Sequence, residues 1–242
     1  MQLVLSIFPG IDLLGRAFEE VGFCVVRGPD VLWGGDIKLF HPPAGAFDGV
    51  IGGPPCQCFS RLKTLNPLAG KRAIDQVPEF CRCVAEACPK WWLMENLVEA
   101  TAPAVDGYVV AILDVHDCKV GGMTLRKRRF WFGTPHGIEL SVERLSGVLF
   151  PARAVTRSVR IPKARHFARA AARGGGVLPG DGEVTTIKHV CELQGLPASF
   201  PQRGPFRVEA LRLMLGNGVP LAMGRAIAKA VKRAVEQAEP QA

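Results

Sequence analysis

The sequence predicts an α/β fold, a mostly parallel sheet with helices on both faces. Three observations carry this. Short apolar runs of strand length alternate with stretches of helical periodicity. Several of those runs break directly into glycine or proline turns. The chain has 242 residues, of which 48% are hydrophobic, enough to bury a sizeable core. In such sheets ligands lie outside the carboxyl ends of the strands.

Gln2 to Phe8 is a continuous apolar strand that ends at Pro9-Gly10. A helix follows, with Leu13, Leu14, Ala17, Phe18 and Val21 on one face, and it stops at Gly22. Phe23 to Val26 is a second strand. Phe47 to Ile51 is a third, entering the loop Gly52-Gly53-Pro54-Pro55-Cys56-Gln57. Gln76 to Ala87 reads as a helix, and Trp91 to Met94 as a buried strand ending at Glu95-Asn96. Tyr108 to Leu113 is a further strand. Phe130 to Gly133 is another, preceded by Arg126-Lys127-Arg128-Arg129. Helical signal returns at Thr186 to Gln194 and at Pro220 to Gln237, the latter after the turn-forming cluster Gly216-Asn217-Gly218-Val219-Pro220.

No apolar run approaches the roughly 18 residues that would span a bilayer. The first eight residues lack a basic start and a small-residue cleavage site, so they read as a strand and the expected location is the cytoplasm. The eight cysteines are expected as reduced thiols. Cys81-Arg82-Cys83 does not have zinc-ligand spacing and no metal is expected. The formal net charge of +8 favours a polyanionic partner. Its distribution is uneven. Phe150 to Gly174 contains no acidic residue but carries Arg153, Arg157, Arg160, Lys163, Arg165, Arg169 and Arg173. A solvated basic face is one reading of that block; segregation of one sign is less usual on a surface built for solubility. The boundaries that follow are 1–138 for the main domain, 139–183 for a small basic inserted lobe, and 184–242 for a segment returning to the main domain.

Cys56 stands at the tip of a stiff loop where glycines permit close approach, which suits a nucleophile better than a core residue. Its thiolate is the reactive form, and the basic residues Arg61, Lys63, Lys71, Arg72, Arg126 and Arg128 are candidates to favour it. Glu95, at the end of an apolar strand, is a candidate acid, although a helix cap or surface turn is the alternative. Phe8-Pro9-Gly10 could cradle a nucleotide-like ligand, and Asp30 and Asp36, after the second strand, could accept hydrogen bonds from ribose hydroxyls or an adenine amine.

Taken in order, these pieces resemble the (cytosine-5) DNA methyltransferase family along nearly the whole chain. Phe8-Pro9-Gly10-Ile11 is similar to its first cofactor motif, and Gly35-Asp36-Ile37 to the motif that meets adenine. Gly53-Pro54-Pro55-Cys56-Gln57-Cys58-Phe59-Ser60 resembles the nucleophile motif, and Glu95-Asn96-Leu97 the Glu-Asn-Val motif. Arg126-Lys127-Arg128 falls where the family has Gln-x-Arg-x-Arg. Leu193-Gln194-Gly195-Leu196-Pro197 and Gly216-Asn217-Gly218-Val219-Pro220 resemble the last two motifs.

The resemblance implies a Rossmann-like S-adenosylmethionine-dependent methyltransferase fold. It implies methyl transfer from S-adenosylmethionine to carbon 5 of a cytosine flipped out of duplex DNA, through a covalent bond to Cys56, releasing S-adenosylhomocysteine. Glu95, Arg126 and Arg128 join Cys56 as catalytic residues. Phe8, Gly10, Ile11, Asp12, Asp30, Asp36, Ile37, Pro55, Asn217 and Val219 are implied cofactor contacts. Gln57, Ser60, Arg61 and Lys63 in the cysteine loop, and Arg153, Arg157, Arg160, Lys163 and Arg165 in the lobe, are implied DNA contacts. A monomer is expected, with a cognate restriction endonuclease as a candidate companion.

The chain departs from the family at named positions. Asp12 stands where a glycine is usual, either crowding the cofactor or binding its ammonium. Thr124 replaces the usual glutamine. The short segment from Asp30 to Asp36 leaves the ribose ligand open, with Asp30 the first candidate and Trp33 a neighbour for adenine. The small lobe predicts a short or degenerate target sequence or a reliance on phosphate contacts. Two rivals remain at this point, an RNA (tRNA) cytosine-5 methyltransferase of the same chemistry and a non-catalytic DNA-binding protein on the same scaffold.

Overall fold

The computed structural model of the chain describes residues 1–59, 74–145, 152, 187–197, 199–200 and 208–238. Six strands form one sheet: β1 (Leu3–Ile7), β2 (Cys24–Arg27), β3 (Gly49–Gly52), β4 (Trp91–Asn96), β5 (Val109–His116) and β6 (Lys127–Thr134). Their spatial order is β2-β1-β3-β4-β6-β5. The first four are mutually parallel, whereas β6 runs antiparallel to both β4 and β5. The sheet is therefore mixed, with the parallel arrangement confined to the half that carries the helical crossovers.

Strand alternation sorts the core into two layers. Val4, Ile51, Trp91, Leu93, Phe130 and Phe132 face one side, with Phe18 of α1 (Leu13–Glu20) and residues of the C-terminal helix. Leu5, Ile7, Val50, Trp92, Met94 and Trp131 face the other, against Phe80 and Val84 of α2 (Val77–Ala87). Both tryptophans of β4 lie across glycines of their neighbours. A Cβ on Gly49 would sit 2.2 Å from the Trp91 ring, and one on Gly133 would sit 2.0 Å from the Trp92 ring. The glycines give the sheet its flat places, and the indoles fill them.

Three further helices follow: α3 (Ile187–Leu193), α4 (Val208–Asn217) and α5 (Leu221–Ala238). Leu13, Val190, Cys191, Leu196 and Leu215 form a third cluster, with Ile11 packed on it. The returning segment thus lies under the first turn of the sheet. Gln194, almost fully buried, donates to the carbonyl of Leu215 at 2.5 Å, and its own carbonyl takes the amide of Leu221 at 3.0 Å. The Leu-Gln-Gly-Leu-Pro stretch serves as the joint between α4 and α5.

The structure shifts several predicted elements. Gly216 and Asn217, expected in a turn, close helix α4, which the turn-like composition around them concealed. Glu95 and Asn96 lie inside β4 rather than after it. The strand expected at Tyr108 to Leu113 runs three residues further, and β6 begins at Lys127, because the two pair as a continuous antiparallel ladder from Val109↔Thr134 to His116↔Lys127. Most of the lobe predicted at 139–183 lies outside the described residues, as do Ser60, Arg61, Lys63, Lys71, Arg72, Arg153, Arg157, Arg160, Lys163 and Arg165. Among the described residues, no helix is long and apolar enough to cross a membrane.

Candidate active site

β1, β3 and β4 present their carboxyl ends at one edge of the sheet, and the start of antiparallel β6 reaches the same edge. A cavity of about 340 Å³ opens there. Its walls come from the turn after β1 (Phe8 to Ile11), the turn after β2 (Asp30 to Leu32), the cysteine loop (Gly53 to Cys56), Glu95, Arg128, and Met214, Asn217 and Gly218 at the end of α4. Residues more than two hundred positions apart meet in this volume, which is in the range of small-molecule sites.

The first turn is backbone held under strain. Phe8, Gly10 and Asp12 all have positive φ, at 54°, 57° and 52°. Asp30 and Trp33 hold its middle. The Asp30 carboxylate accepts from the amide of Gly10 at 2.9 Å and from that of Leu32 at 2.8 Å. The Trp33 indole donates to the carbonyl of Gly10 at 2.9 Å. Asp30 is thus placed between the two turns at the cavity wall, with Val31 and Leu32 supplying apolar surface beside it. A carboxylate beside apolar surface fits a ligand that carries both hydroxyls and a flat ring.

Other predicted cofactor residues sit elsewhere. The Asp12 carboxylate is turned inward, accepting from Ser6 Oγ at 2.9 Å and from the amide of Gly15 at 3.0 Å. Asp36 is exposed and caps its own turn by accepting from the amide of Lys38. Ile37 and Val219 are buried in the core clusters. Pro55 and Asn217 do line the cavity.

On the nucleophile side, Cys56 opens a single helical turn, Cys56–Cys58, after Pro55. Asn96 fixes the approach to that loop by donating from Nδ2 to the carbonyl of Pro54 at 3.1 Å, while its Oδ1 accepts from the amide of Leu97. Glu95 is only 7% exposed. One of its oxygens lies 2.8 Å from Arg128 Nε, close but without hydrogen-bond alignment. The other lies over Gly53, 3.0 Å from where a Cβ would stand. Burial pushes the Cys56 thiol above its ordinary value and the negative charge of Glu95 adds to that; Arg128 and Arg126 pull it back without cancelling it. The expected basic stabilisation of the thiolate is present but outweighed by burial.

Alternation along β6 divides the run of four cations. Arg126 and Arg128 turn toward the cysteine and Glu95, while Lys127 and Arg129 turn to Asp114, at 2.8 and 2.6 Å. Arg129 beside Asp114 holds that carboxylate down to about 2. Arg126 is buried and donates to the carbonyls of Gly216 and Asn217 at 3.0 and 3.4 Å, at the carboxyl end of α4, where a cation is favoured. Burial lowers its pKa to about 9, so it remains a cation at neutral pH. Behind it, Thr124 donates its amide and hydroxyl to the buried carboxylate of Asp117, at 3.0 and 2.7 Å, and Asp117 donates its own amide to the carbonyl of Arg126. Thr124 therefore keeps a hydrogen-bonding role at the position where the family has glutamine.

Sequence reasoning missed Asp117 and Met214. Asp117 sits in a turn whose composition looks ordinary, and Met214 belongs to the helix that was not expected.

Residues 34–117 match the family described as C-5 cytosine-specific DNA methylase. The chain is 25% identical over 169 residues to the type II methyltransferase M.NgoPII of Neisseria gonorrhoeae, covering 57% of this chain and 49% of that protein. It is 33% identical over 112 residues to M.HgiDI of Herpetosiphon aurantiacus, covering 41% of this chain and 34% of that protein. The chain thus spans about half the length, or less, of the curated relatives it matches. Among solved structures it resembles a DNA modification methyltransferase encoded within an E. coli prophage (TM-score 0.59, 18% identity, 98% of this chain and 100% of that one). It also resembles the Entamoeba histolytica methyltransferase EhMeth (TM-score 0.65, 12% identity, 99% of each chain). These two likenesses establish the α/β methyltransferase fold.

Proposed function

Residues 34–117 match the C-5 cytosine-specific DNA methylase family and the chain is similar to type II methyltransferases, and on that likeness we propose that it transfers a methyl group from S-adenosylmethionine to carbon 5 of a cytosine flipped out of duplex DNA. The observation that carries this reading is the single cavity in which Cys56, Glu95 and Arg128 face the turn held by Asp30. When bound, S-adenosylmethionine supplies an electrophilic methyl group to carbon 5. The turn from Phe8 to Ile11, Asp30, Val31, Leu32 and Asn217 are the residues that would hold it.

The remaining chemistry belongs to the chain. Cys56 passes its proton to solvent and the thiolate Sγ bonds carbon 6, which breaks the 5,6 double bond and moves its electron pair to carbon 5. Glu95 bonds the ring nitrogen and the exocyclic amine, and Arg128 bonds the ring carbonyl, so the charge that builds on the ring meets fixed partners. After transfer, carbon 5 gives its proton to solvent, the 5,6 double bond re-forms as the carbon–sulfur bond breaks, and the expelled thiolate takes a proton back from solvent. Burial and the charge of Glu95 hold the proton on the resting Cys56 thiol. Arg126 supports Arg128 and ties this end of the site to α4.

Incubation with S-adenosylmethionine and duplex DNA carrying 5-fluorocytosine tests the reading. The expected result is a covalent adduct that Cys56→Ser abolishes and Cys58→Ser retains. DNA binding with no adduct would favour the non-catalytic reading, and methyl transfer to tRNA in preference to duplex DNA would favour the RNA one.

A further inference from the structure

The turn after β1 and the end of β2 are joined by an ion pair that the family motif does not contain. Asp12 is 5% exposed, and its Oδ2 lies 2.8 Å from Arg27 Nε at the last residue of β2. That oxygen has no aligned hydrogen bond, so its compensation is the charge of Arg27. Oδ1 serves separately, as the cap of α1 and the partner of Ser6. The carboxylate fits because residue 15 is glycine; a Cβ there would stand 2.2 Å from Oδ2. Arg27 also reaches Glu19 at 2.9 Å. Three residues beyond Arg27, Asp30 takes the amide of Gly10. The two turns that face the cavity are therefore cross-linked twice, once by Asp30 to Gly10 and once by Asp12 to Arg27.

We propose that Asp12 and Arg27 form a clasp that fixes the cofactor turn against the end of β2, and that Asp12 acts as a positioning residue for cofactor binding. The proposal rests on the cofactor assignment made above. The turn needs such a hold, since three of its five residues from Phe8 to Asp12 stand in the left-handed region and only one of them is glycine. Asp12 does not touch the cavity; it acts through Pro9, whose carbonyl takes the amide of Asp12 at 2.6 Å, and through the spacing between Gly10 and Asp30.

Capping alone would also explain an aspartate at this position, and asparagine separates the two roles. Asn caps a helix about as well as Asp but carries no charge for Arg27. The experiment compares wild type, Asp12→Asn, Arg27→Gln, Glu19→Gln and the Asp12→Asn/Arg27→Gln double variant. Two quantities are read: amide hydrogen exchange without ligand, and the Kd for S-adenosylhomocysteine by calorimetry. A clasp predicts faster exchange at the amides of residues 10 and 12 in Asp12→Asn and Arg27→Gln, with the Gly15 amide still protected. It predicts a Kd raised about tenfold in each and little further in the double variant, with Glu19→Gln like wild type. Wild-type exchange and Kd in both single variants would reduce Asp12 to a helix cap and overturn the clasp. If wild type bound no S-adenosylhomocysteine while the exchange differences appeared, the cofactor assignment would fall and the clasp would stand as a structural one. Should Asp12→Asn fail to fold, the half-exposed Arg27 provides the independent variant.

Discussion

At the β1–β2 end of the cavity the chain offers mainly backbone, a strained turn with one carboxylate and one indole holding it. At the β4–β6 end it offers side chains, namely a thiol, a carboxylate and the guanidinium of Arg128, with buried Arg126 behind it. The sheet explains the difference. Parallel strands joined by crossovers deliver turns to their carboxyl edge, and turns expose amides and carbonyls. The antiparallel strand β6 delivers its beginning to that same edge, and its alternation points every second side chain at the site. One end can thus be disturbed through geometry and the other through charge.

The largest expected effect is at the charged end. Glu95→Gln should lower kcat by about 10²- to 10³-fold, measured by methyl transfer at saturating DNA and cofactor; a loss below tenfold would mean that the carboxylate is not a reacting partner. Next is Asp117→Ala, which leaves the amide and hydroxyl of buried Thr124 without their acceptor. It should cost about 1–3 kcal/mol in urea unfolding. At the backbone end, Asp30→Ala should raise the cofactor KM about tenfold while kcat changes little. A kcat loss matching that of Glu95→Gln would erase the proposed division of labour.

The smallest effect is a shift in a pH profile. Alkylation of Cys56 by iodoacetamide should rise with pH through a midpoint above that of an ordinary thiol, because burial and Glu95 hold the proton on. Removing the negative charge in Glu95→Gln should move the midpoint down, and removing the positive charge in Arg128→Gln should move it up. Opposite shifts would show that the thiol answers to other groups.

Much of this was legible in the residues. Pro54-Pro55-Cys56 after an apolar run reads as a strand ending in a stiff loop, and Glu95 after Trp91 to Met94 reads as an acid at a strand end, because period and breakers are local signals. Asp12 was legible as a departure but not as a role. Whether its carboxylate faced the ligand depended on Ser6 and Arg27, which the fold brings together. Arg126 was legible as one of four cations, while its burial under the carbonyls of Gly216 and Asn217 depended on a helix ninety residues away whose glycine and asparagine look like a turn.

The order of motifs by itself determined the family resemblance, the proposed nucleophile and the expectation of an α/β sheet, since each depends on residue type and short-range spacing. Only the tertiary structure decided that the sheet is mixed, that β6 enters the site by its start, and which of the three candidate acids Asp12, Asp30 and Asp36 faces the cavity. Strand direction and side-chain orientation are settled by pairings between distant segments, and local sequence carries no record of those.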